Sequence, residues 1–585
     1  MPCIFTGRYG ACLLLSLLFS LSTTARAEDV NDSQLKEVNI TGISGAPADN
    51  ARRMLGIVEL LKKRNATEAQ IRYRHHQASE EIRLAIQPFG FYLADVRAQL
   101  QQQDGGYTAS YTVDPGAPVR ISELDIRLGE QQSLQQLFPL KPGDILLHSR
   151  YESGKTAITR RLRELGYFEQ RLSRHRVLVD REAKTARIEL HYAIGQRHVF
   201  GETLIEGAHV DERLVRRYLR FQPGEQFDQA QLNRVQRELN ETNFFSDVLI
   251  TTELAQRNDL RVPIRIRLQP GAQRAYGIGV SIGTDSGFGV ELGADQRWLN
   301  RRGHSAGFEA AISQNNQRFG ASYRIPDLDQ RASGWRLGLS REHEENDSNE
   351  RTTNRAELER FGLLGNDWRW TTSLAVERER FVIGGEEDST WLVVPELTLG
   401  HKQADVVSRP RRGHSYQLEL RAAPGWLGSN VRFYQAVARG KWIHPVGERD
   451  RLLLGGVAGT TEVNNFDRLP ASYRFFAGGD RSLRGFDYEA LGPLDDNGDV
   501  IGGRHLVLGS IEYERAIMTN WGGALFVDAG NALNRFSDDL EASIGLGVRF
   551  FSPLGPIRLD LARTLTDGVS GDTSWRLHFT VGPDL

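Results

Sequence analysis

The chain has 585 residues, 39% hydrophobic and 25% charged, with 73 basic against 75 acidic side chains. That length allows several domains at roughly 100 to 200 residues each. The formal charge of -2 and a pI of about 6.7 lack the basic face of a nucleic-acid binder. A mean hydropathy of -0.43 argues against a bundle of membrane helices, each of which needs about 20 consecutive apolar residues. It leaves room for a membrane β-barrel, whose strands alternate apolar and polar residues and so average out.

The first 27 residues read as a cleaved export signal. Arg8 precedes the apolar run Ala11 to Leu21, and Ala25-Arg26-Ala27 has the small-x-small pattern of a signal-peptidase site, so cleavage is expected between Ala27 and Glu28. Both cysteines, Cys3 and Cys12, fall inside this segment. The mature protein is therefore expected to have no disulfide and to rely on packing or sheet closure.

Composition then shifts near residue 270. Of the 59 Gly, 42 lie in residues 271–585, as do all nine Trp, whereas only two Lys, Lys402 and Lys441, occur there. Two folds are specified.

The part before the shift repeats. Aromatic pairs recur at Phe91-Tyr92, Tyr167-Phe168 and Phe244-Phe245, and unit-ending glycines at Gly116, Gly195 and Gly271. A fixed period means one small domain copied, here as an α+β unit reading strand, helix, helix, strand, strand. The expected modules span 28–116, 117–195 and 196–270. In the first, Thr67 and Gln70 form a capping box before Ile71, Ala78, Ile82 and Ile86. In the third, Asp228 and Gln231 are expected to do the same, with Phe227 stapled on Leu232. Gly154-Lys155-Thr156 imitates the end of a phosphate-binding loop, but the glycine required five residues earlier is Ser149. Ser149 and Glu152 are instead expected to cap a helix running through Ile158, Leu162 and Leu165.

The part from 271 to 585 alternates. Leu525, Val527 and Ala529 share one face of a strand, with Phe526 and Asp528 on the other. Ile544, Leu546 and Val548 alternate with Ser543 and Arg549, Ile557, Leu559 and Leu561 with Arg558 and Asp560, and Trp575, Leu577, Phe579 and Val581 with Arg576, His578 and Thr580. An apolar stripe backed by Arg, Asp and His fits lipid outside and water inside, and the Trp enrichment suits membrane interfaces. Alternating segments centred near 279, 292, 308, 320, 337, 357, 371, 396, 418, 436, 456, 510, 526, 545, 560 and 577 predict a 16-stranded antiparallel transmembrane β-barrel. The longest connection, about 464–503, falls between the eleventh and twelfth strands and faces outside.

Inside that connection lies Phe476-Ala477-Gly478-Gly479-Asp480-Arg481-Ser482-Leu483-Arg484-Gly485-Phe486. It resembles the [VL]RG[FY] loop of the superfamily of barrels carrying POTRA domains, which insert or translocate proteins across outer membranes. The strands Leu508 to Tyr513 and Phe526-x-Asp528-x-Gly530 also resemble their counterparts. The resemblance covers nearly the whole mature chain. Three modules point to its translocation-and-assembly-module branch, since BamA-like members have five and two-partner secretion transporters two.

The resemblance implies a loop motif, Leu483, Arg484, Gly485 and Phe486, pinned inside the barrel against Glu512, Phe526, Asp528 and Gly530. The residues support this independently. Glu512 and Asp528 face the lumen from neighbouring strands, a guanidinium can bridge two carboxylates bidentately, and Gly485 permits close approach to the wall. The resemblance further implies a Gram-negative outer membrane location with the modules in the periplasm. Its expected partners are unfolded outer-membrane or autotransporter clients, the lipid bilayer and a TamB-like inner-membrane-anchored protein reaching the modules. The entrance for clients would be a lateral seam between the first strand, near Ala275 to Ile282 with Gly277 and Gly279, and the last, Trp575 to Val581 with Leu577 and Phe579. An unpaired edge there accepts an incoming strand.

No catalytic residue, cofactor or metal is expected, and the protein is expected not to be an enzyme. His75-His76 reads as a surface pair without a third ligand. Asp495-Asp496-Asn497-Gly498-Asp499 lacks the alternation and terminal Glu of a calcium loop and reads as a turn tip, and His343-Glu344-Glu345-Asn346-Asp347 fails the HExxH pattern. Two other functions fit the architecture: a passive porin with a periplasmic docking arm, or a two-partner secretion-type exporter. The latter needs a plug helix, for which residues 28–35 are too few.

Overall fold

The computed structural model describes residues 35–585 apart from 64–65, 104, 366, 407, 554, 567–574, 583 and 585. The export signal read at residues 1–27, with Ala27 and Glu28, lies outside the described residues.

Three small sheets come first, ordered alike. In each, the third strand of the module is central, paired parallel to the first strand and antiparallel to the second. The strands are Leu35–Thr41, Asp95–Gln103 and Gly106–Asp114, then Arg120–Arg127, Arg171–Asp180 and Thr185–Ala193, then Val199–Glu206, Phe245–Thr252 and Arg261–Pro270. Helices cover one face. In the first module the helix Glu68–Ile86 presents Ile71, Ala78, Ile82 and Ile86 at helical spacing, all buried against Val38, Ala109 and Tyr111. Each of the three isoleucines contributes about 1.5 to 3 kcal/mol. The first and second modules are joined by backbone bonds, the Val119 N–H donating to the Gly90 carbonyl at 2.8 Å, and by the Tyr92 hydroxyl 2.5 Å from His148 Nε2.

Local expectations are met unevenly. The Thr67–Gln70 capping box forms in both directions. Asp228 caps its helix by accepting from the Ala230 N–H, but Gln231 does not complete a box, because its side-chain oxygen is turned into the protein. The Ser149–Glu152 box is absent. The helix His148–Glu164 starts two residues earlier with Leu147 as its cap, which places Ser149 inside the first turn. Gly154 belongs to this helix, and a Cβ there would come within 2.4 Å of the Phe138 ring. The glycine of the phosphate-loop look-alike serves close packing. His75 is also half-buried, 3.0 Å from the Tyr111 hydroxyl, and only His76 is a surface histidine.

The second module carries an acid-sensitive contact. Asp125 accepts from Arg127 at 2.9 and 3.0 Å and lies 2.9 Å from His191 Nε2 on the neighbouring strand. Arg127 first, and His191 second, hold its carboxyl down at about 2 against an ordinary 3.8. A lowered carboxyl pKa stabilises the fold fully above the unfolded value, and that contribution is lost as pH falls through the folded value. The window is therefore from about pH 4 down to about pH 2. Pepsin resistance of this module is expected to fall more steeply across that window in the wild type than in Asp125→Asn. Equal pH profiles would contradict the contribution.

Sixteen strands follow in one antiparallel sheet, in chain order, from Arg274–Gly283 to Trp575–Val581. Every segment centre expected from alternation falls within one of them. Outward side chains such as Ile511, Leu525, Val527, Ile544, Leu546 and Leu577 are exposed, whereas Glu512, Asp528, Arg549, Asp560 and His578 are buried inside. A continuous apolar belt of this size is untenable in water and is the outer surface of a membrane barrel. The exposed tryptophans mark two girdles. Trp335, Trp368, Trp442 and Trp521 sit towards the rim where the third module enters, and Trp391, Trp426 and Trp575 towards the opposite rim. No helix among the described residues is long and apolar enough to cross a membrane.

The third module is seated on the near rim. The Asp211 N–H donates to the Arg301 carbonyl at 2.6 Å, Arg217 to the Asp327 carbonyl, and Arg331 pairs with Glu238 at 3.0 Å. The His209 ring packs 4.3 Å from Trp298.

The barrel is nearly closed, but its seam is unsealed. Among the described residues no ladder joins the first strand to the last. They approach only at one end: a Cβ on Gly283 would lie 3.8 Å from the Phe579 carbonyl oxygen, and Thr284 Oγ1 is 3.2 Å from His578 Nδ1. Between Ala275 to Ile282 and Trp575 to Val581 the seam is thus held at its far end alone. The last strand is only seven residues long and runs antiparallel past the far end of the first. A Cβ on Gly277 would meet nothing within 4 Å.

Candidate functional site

Residues 464–504 leave the eleventh strand, Asp450–Val463, at the far rim and turn back into the lumen before the twelfth, His505–Ala516. The segment carries its own support. Arg474 donates to the carbonyls of Leu469, Ile501 and Asp467 at 2.9, 3.0 and 2.7 Å, so one planar guanidinium ties both limbs together. Bridges Phe475 to Gly503 and Ala477 to Leu491 continue the clasp. Leu483 and Phe486, with Phe475, Ala477 and Leu491, pack on wall residues Val437, Leu506 and Ala532.

At the tip, Arg484 donates through Nε and Nη2 to the two oxygens of Asp528 at 2.8 and 2.9 Å. Its Nη1 reaches Glu512 at 2.8 Å and Asp560 at 3.2 Å. The guanidinium lies 3.3 Å above the Phe526 ring, stacking on the face that the strand alternation turns inward. Gly485 has room for nothing larger, since a Cβ would come 2.6 Å from Ser543 Cβ. Gly530, at φ 153°, lets the thirteenth strand, Trp521–Leu533, approach the Val507 carbonyl where a Cβ would lie 2.1 Å away. The expected loop residues Leu483, Arg484, Gly485 and Phe486 thus lie beside Glu512, Phe526 and Asp528, with Gly530 shaping the wall.

Three participants were missed by reasoning from sequence. Arg549, fully buried on the fourteenth strand, Glu541–Ser552, donates to Glu512 at 2.8 Å and to Asp560 at 2.5 Å. Asp560 on the fifteenth, Gly555–Thr564, therefore serves both arginines. His578 on the last strand lies 2.6 Å from the Arg484 carbonyl oxygen through Nε2, so the tip also touches the seam. All three stand on inward faces of the alternation; the signal was present, but nothing in one sequence says which lumen charges meet. Of the other seam residues, Trp575 and Leu577 point to lipid, and Gly277 and Gly279 leave the inner face of the first strand bare.

Among the described residues no cluster of three or more His, Cys, Asp or Glu could hold a metal. Asp495–Asp499 forms a turn closed by Asp495 accepting from the Asn497 and Asp499 N–H groups at 2.9 Å.

The architecture is thus a membrane barrel with a loop tip buried in its lumen, following three small αβ modules in the chain. Comparisons agree. Residues 299–584 match the Omp85 superfamily domain, 37–115 match the POTRA domain described as TamA domain 1, and 119–194 and 198–271 match the surface antigen variable number repeat, a POTRA family. Residues 299–584 thus match an Omp85 superfamily domain behind three POTRA matches, the make-up of an outer-membrane barrel with periplasmic POTRA domains. It is 26% identical over 423 residues to the outer membrane protein assembly factor BamA of Nitratidesulfovibrio vulgaris, covering 68% of this chain and 52% of that one. It is 23% identical over 566 residues to the BamA of Neisseria meningitidis serogroup B, covering 84% and 70%. The chain thus spans about half the length of the first of these relatives. The crystal structure of BamA from Haemophilus ducreyi lacking POTRA domains 1-3 superposes with a TM-score of 0.63 at 18% identity, over 79% of this chain and 99% of that one.

Proposed function

We propose that this protein inserts or translocates outer-membrane proteins, autotransporters among them, through the seam between its first and last barrel strands, as a TamA-type subunit. One observation carries the reading: the near-rim part of the first strand is an unpaired edge at membrane depth. Tyr276, Ile278 and Val280 are 77, 81 and 76% exposed, above every large outward hydrophobic of the twelfth to sixteenth strands, because they lack a neighbour on one side. An open edge in lipid leaves N–H and C=O groups without partners, and an incoming strand satisfies them by β-augmentation. The pinned loop supports the reading by holding strands twelve to fifteen, the wall on the last-strand side of the seam, in register while the edge is engaged.

The three-module arm and the match of residues 37–115 to the first POTRA domain of TamA favour this branch over BamA, with a TamB-like inner-membrane-anchored partner at the arm. No nucleotide site is needed, since the client's own folding supplies the driving force. The purified protein in liposomes is expected to accelerate assembly of an unfolded autotransporter barrel. A steady, wide single-channel conductance without such acceleration would favour a passive porin.

A further inference from the structure

Two arginines of the barrel's first half stand on the face that alternation turns to lipid. Arg341, on the fifth strand, Gly334–Glu345, shares its face with the exposed Trp335, Leu337 and Leu339. Arg378, on the seventh, Trp368–Ile383, shares its face with the exposed Leu374, whereas Glu377 and Glu379 on the other face are buried. Strand register brings the two together. Phe319, Arg341, Asn354, Arg378 and Trp391 stand opposite one another on five consecutive strands, the fourth to the eighth. Neighbouring strands lie about 4.8 Å apart, so the two arginines stand about 10 Å apart with the Asn354 amide between them.

The row lies at the outer boundary of the hydrocarbon. Trp391 belongs to the far girdle, and Arg378 follows Trp368 of the near girdle by ten residues on one strand. Ten residues at about 3.3 Å each, on a strand tilted by about 40°, climb about 25 Å, the height of a barrel's apolar band. Arg341 follows Trp335 by six residues, and its long stem lets the guanidinium reach up towards the same level.

Neither guanidinium has a carboxylate. Among the described residues Arg341 and Arg378 form no ion pair, and Arg378 Nε donates to Ser389 Oγ at 3.4 Å. The outward carboxylates Glu345, Glu350 and Glu387 stand four residues farther out along their strands than Arg341, Asn354 and Trp391, about 13 Å at the strand rise. Outward arginines towards the near rim are paired instead, Arg360 with Asp327 at 2.6 Å and Arg515 with Asp450 at 3.5 Å. An unpaired cation on the lipid face is costly in the hydrocarbon and tolerated only towards its boundary.

The row next towards the midplane is apolar: Ala321, Leu339, Ala356 and Val376. Its two alanines leave an outward groove of about 710 Å³, lined also by Phe319, Trp391, Asn354 and both arginines. A pair of guanidiniums above an apolar furrow complements an anionic amphiphile, with phosphate oxygens at the top and an acyl chain below. Guanidinium forks bind phosphate bidentately, and basic pockets at the membrane surface of a protein take phosphorylated head groups. The far side of a Gram-negative outer membrane presents such an amphiphile, a glycolipid with phosphates on its sugars.

We propose that Arg341, Asn354 and Arg378 form a binding site for the phosphorylated head group of an outer-leaflet glycolipid, one acyl chain of which lies in the groove between Phe319 and Trp391. The site makes no use of the seam, so it stands or falls separately from client insertion.

Native mass spectrometry of the detergent-solubilised full-length protein, titrated with bis-phosphorylated lipid A, tests it. Arg341→Gln with Arg378→Gln is expected to weaken binding about tenfold or more, the ratio that corresponds to losing charge-assisted hydrogen bonds. Arg563→Gln, at an exposed arginine of the fifteenth strand outside the groove, is expected to leave binding unchanged. Removing both phosphates from the lipid is expected to weaken binding to the wild type by a similar factor and to make no difference to the double variant. That arm needs no substitution, and heat-modifiable gel mobility reports that the variants are folded. Equal affinity of wild type and double variant, or equal affinity for the phosphorylated and dephosphorylated lipid, overturns the site. Displacement of lipid A by millimolar inorganic phosphate, or equal affinity for phosphatidylglycerol, overturns the glycolipid as its occupant.

Discussion

Arg484→Ala is expected to release the loop from the lumen and to destabilise the barrel by about 3 to 5 kcal/mol, the cost of removing one partner from a buried ion network. Asp528, 1% exposed, would lose both of its guanidinium bonds, and Glu512 and Asp560 one each. Arg549 remains on Glu512 and Asp560 but is not bonded to Asp528, so Asp528 bears most of the loss. Arg484→Lys keeps a charge but not the fork, and a point charge cannot span Asp528 and Glu512 together; only partial rescue is expected. The measurements are heat-modifiability of the barrel and trypsin cleavage at Arg481, whose side chain is 94% exposed on the tip. Asp528→Asn is expected to be non-additive with Arg484→Ala, since both remove the same contact. Wild-type stability and an intact loop in Arg484→Ala would dismiss the pin.

The second large effect is expected from sealing the seam. Thr284→Cys with His578→Cys places two thiols where side chains of the first- and last-strand ends already meet, Thr284 Oγ1 lying 3.2 Å from His578 Nδ1. Oxidation is expected to abolish insertion of a client barrel in liposomes, and reduction to restore it. The pair removes the His578 contact to the Arg484 carbonyl but none of the Arg484 guanidinium bonds, so the reduced double variant, read beside the oxidised one, separates sealing from loss of that contact. Undiminished insertion in the oxidised protein would separate client assembly from the seam. Gly277 with Leu577, a pairing that strand positions alone suggest, would not serve, because the last strand is displaced towards the far rim.

Much of this architecture was legible because membrane barrels write their fold in a period of two. Leu525, Val527 and Ile544 facing lipid against Asp528 and Ser543 facing inward follow from alternation alone, and so does the count of sixteen strands. The three modules were legible because aromatic pairs and glycines repeat at near-constant spacing. Local capping was less so: Thr67 closes a box, whereas Ser149 does not, because burial of Gly154 against Phe138 sets the helix register and overrides the cap preference. The arginine at the loop tip could be found from its motif and two inward carboxylates. Arg549, Asp560 and His578 could not, since each inward face carries several charges and their partners are fixed by strand stagger and loop depth. The shortness of the last strand, which opens the near-rim edge, is likewise set by three-dimensional register.

That open edge can be interrogated with a photo-cross-linking residue placed in turn at Gly277, Gly279 and, on a fully paired strand, Ala321, while an autotransporter client is stalled during assembly. Adducts to the client's edge strand are expected at positions 277 and 279 and not at 321. Adducts confined to the POTRA modules or to lumen positions, with none at 277 or 279, would contradict entry through the seam.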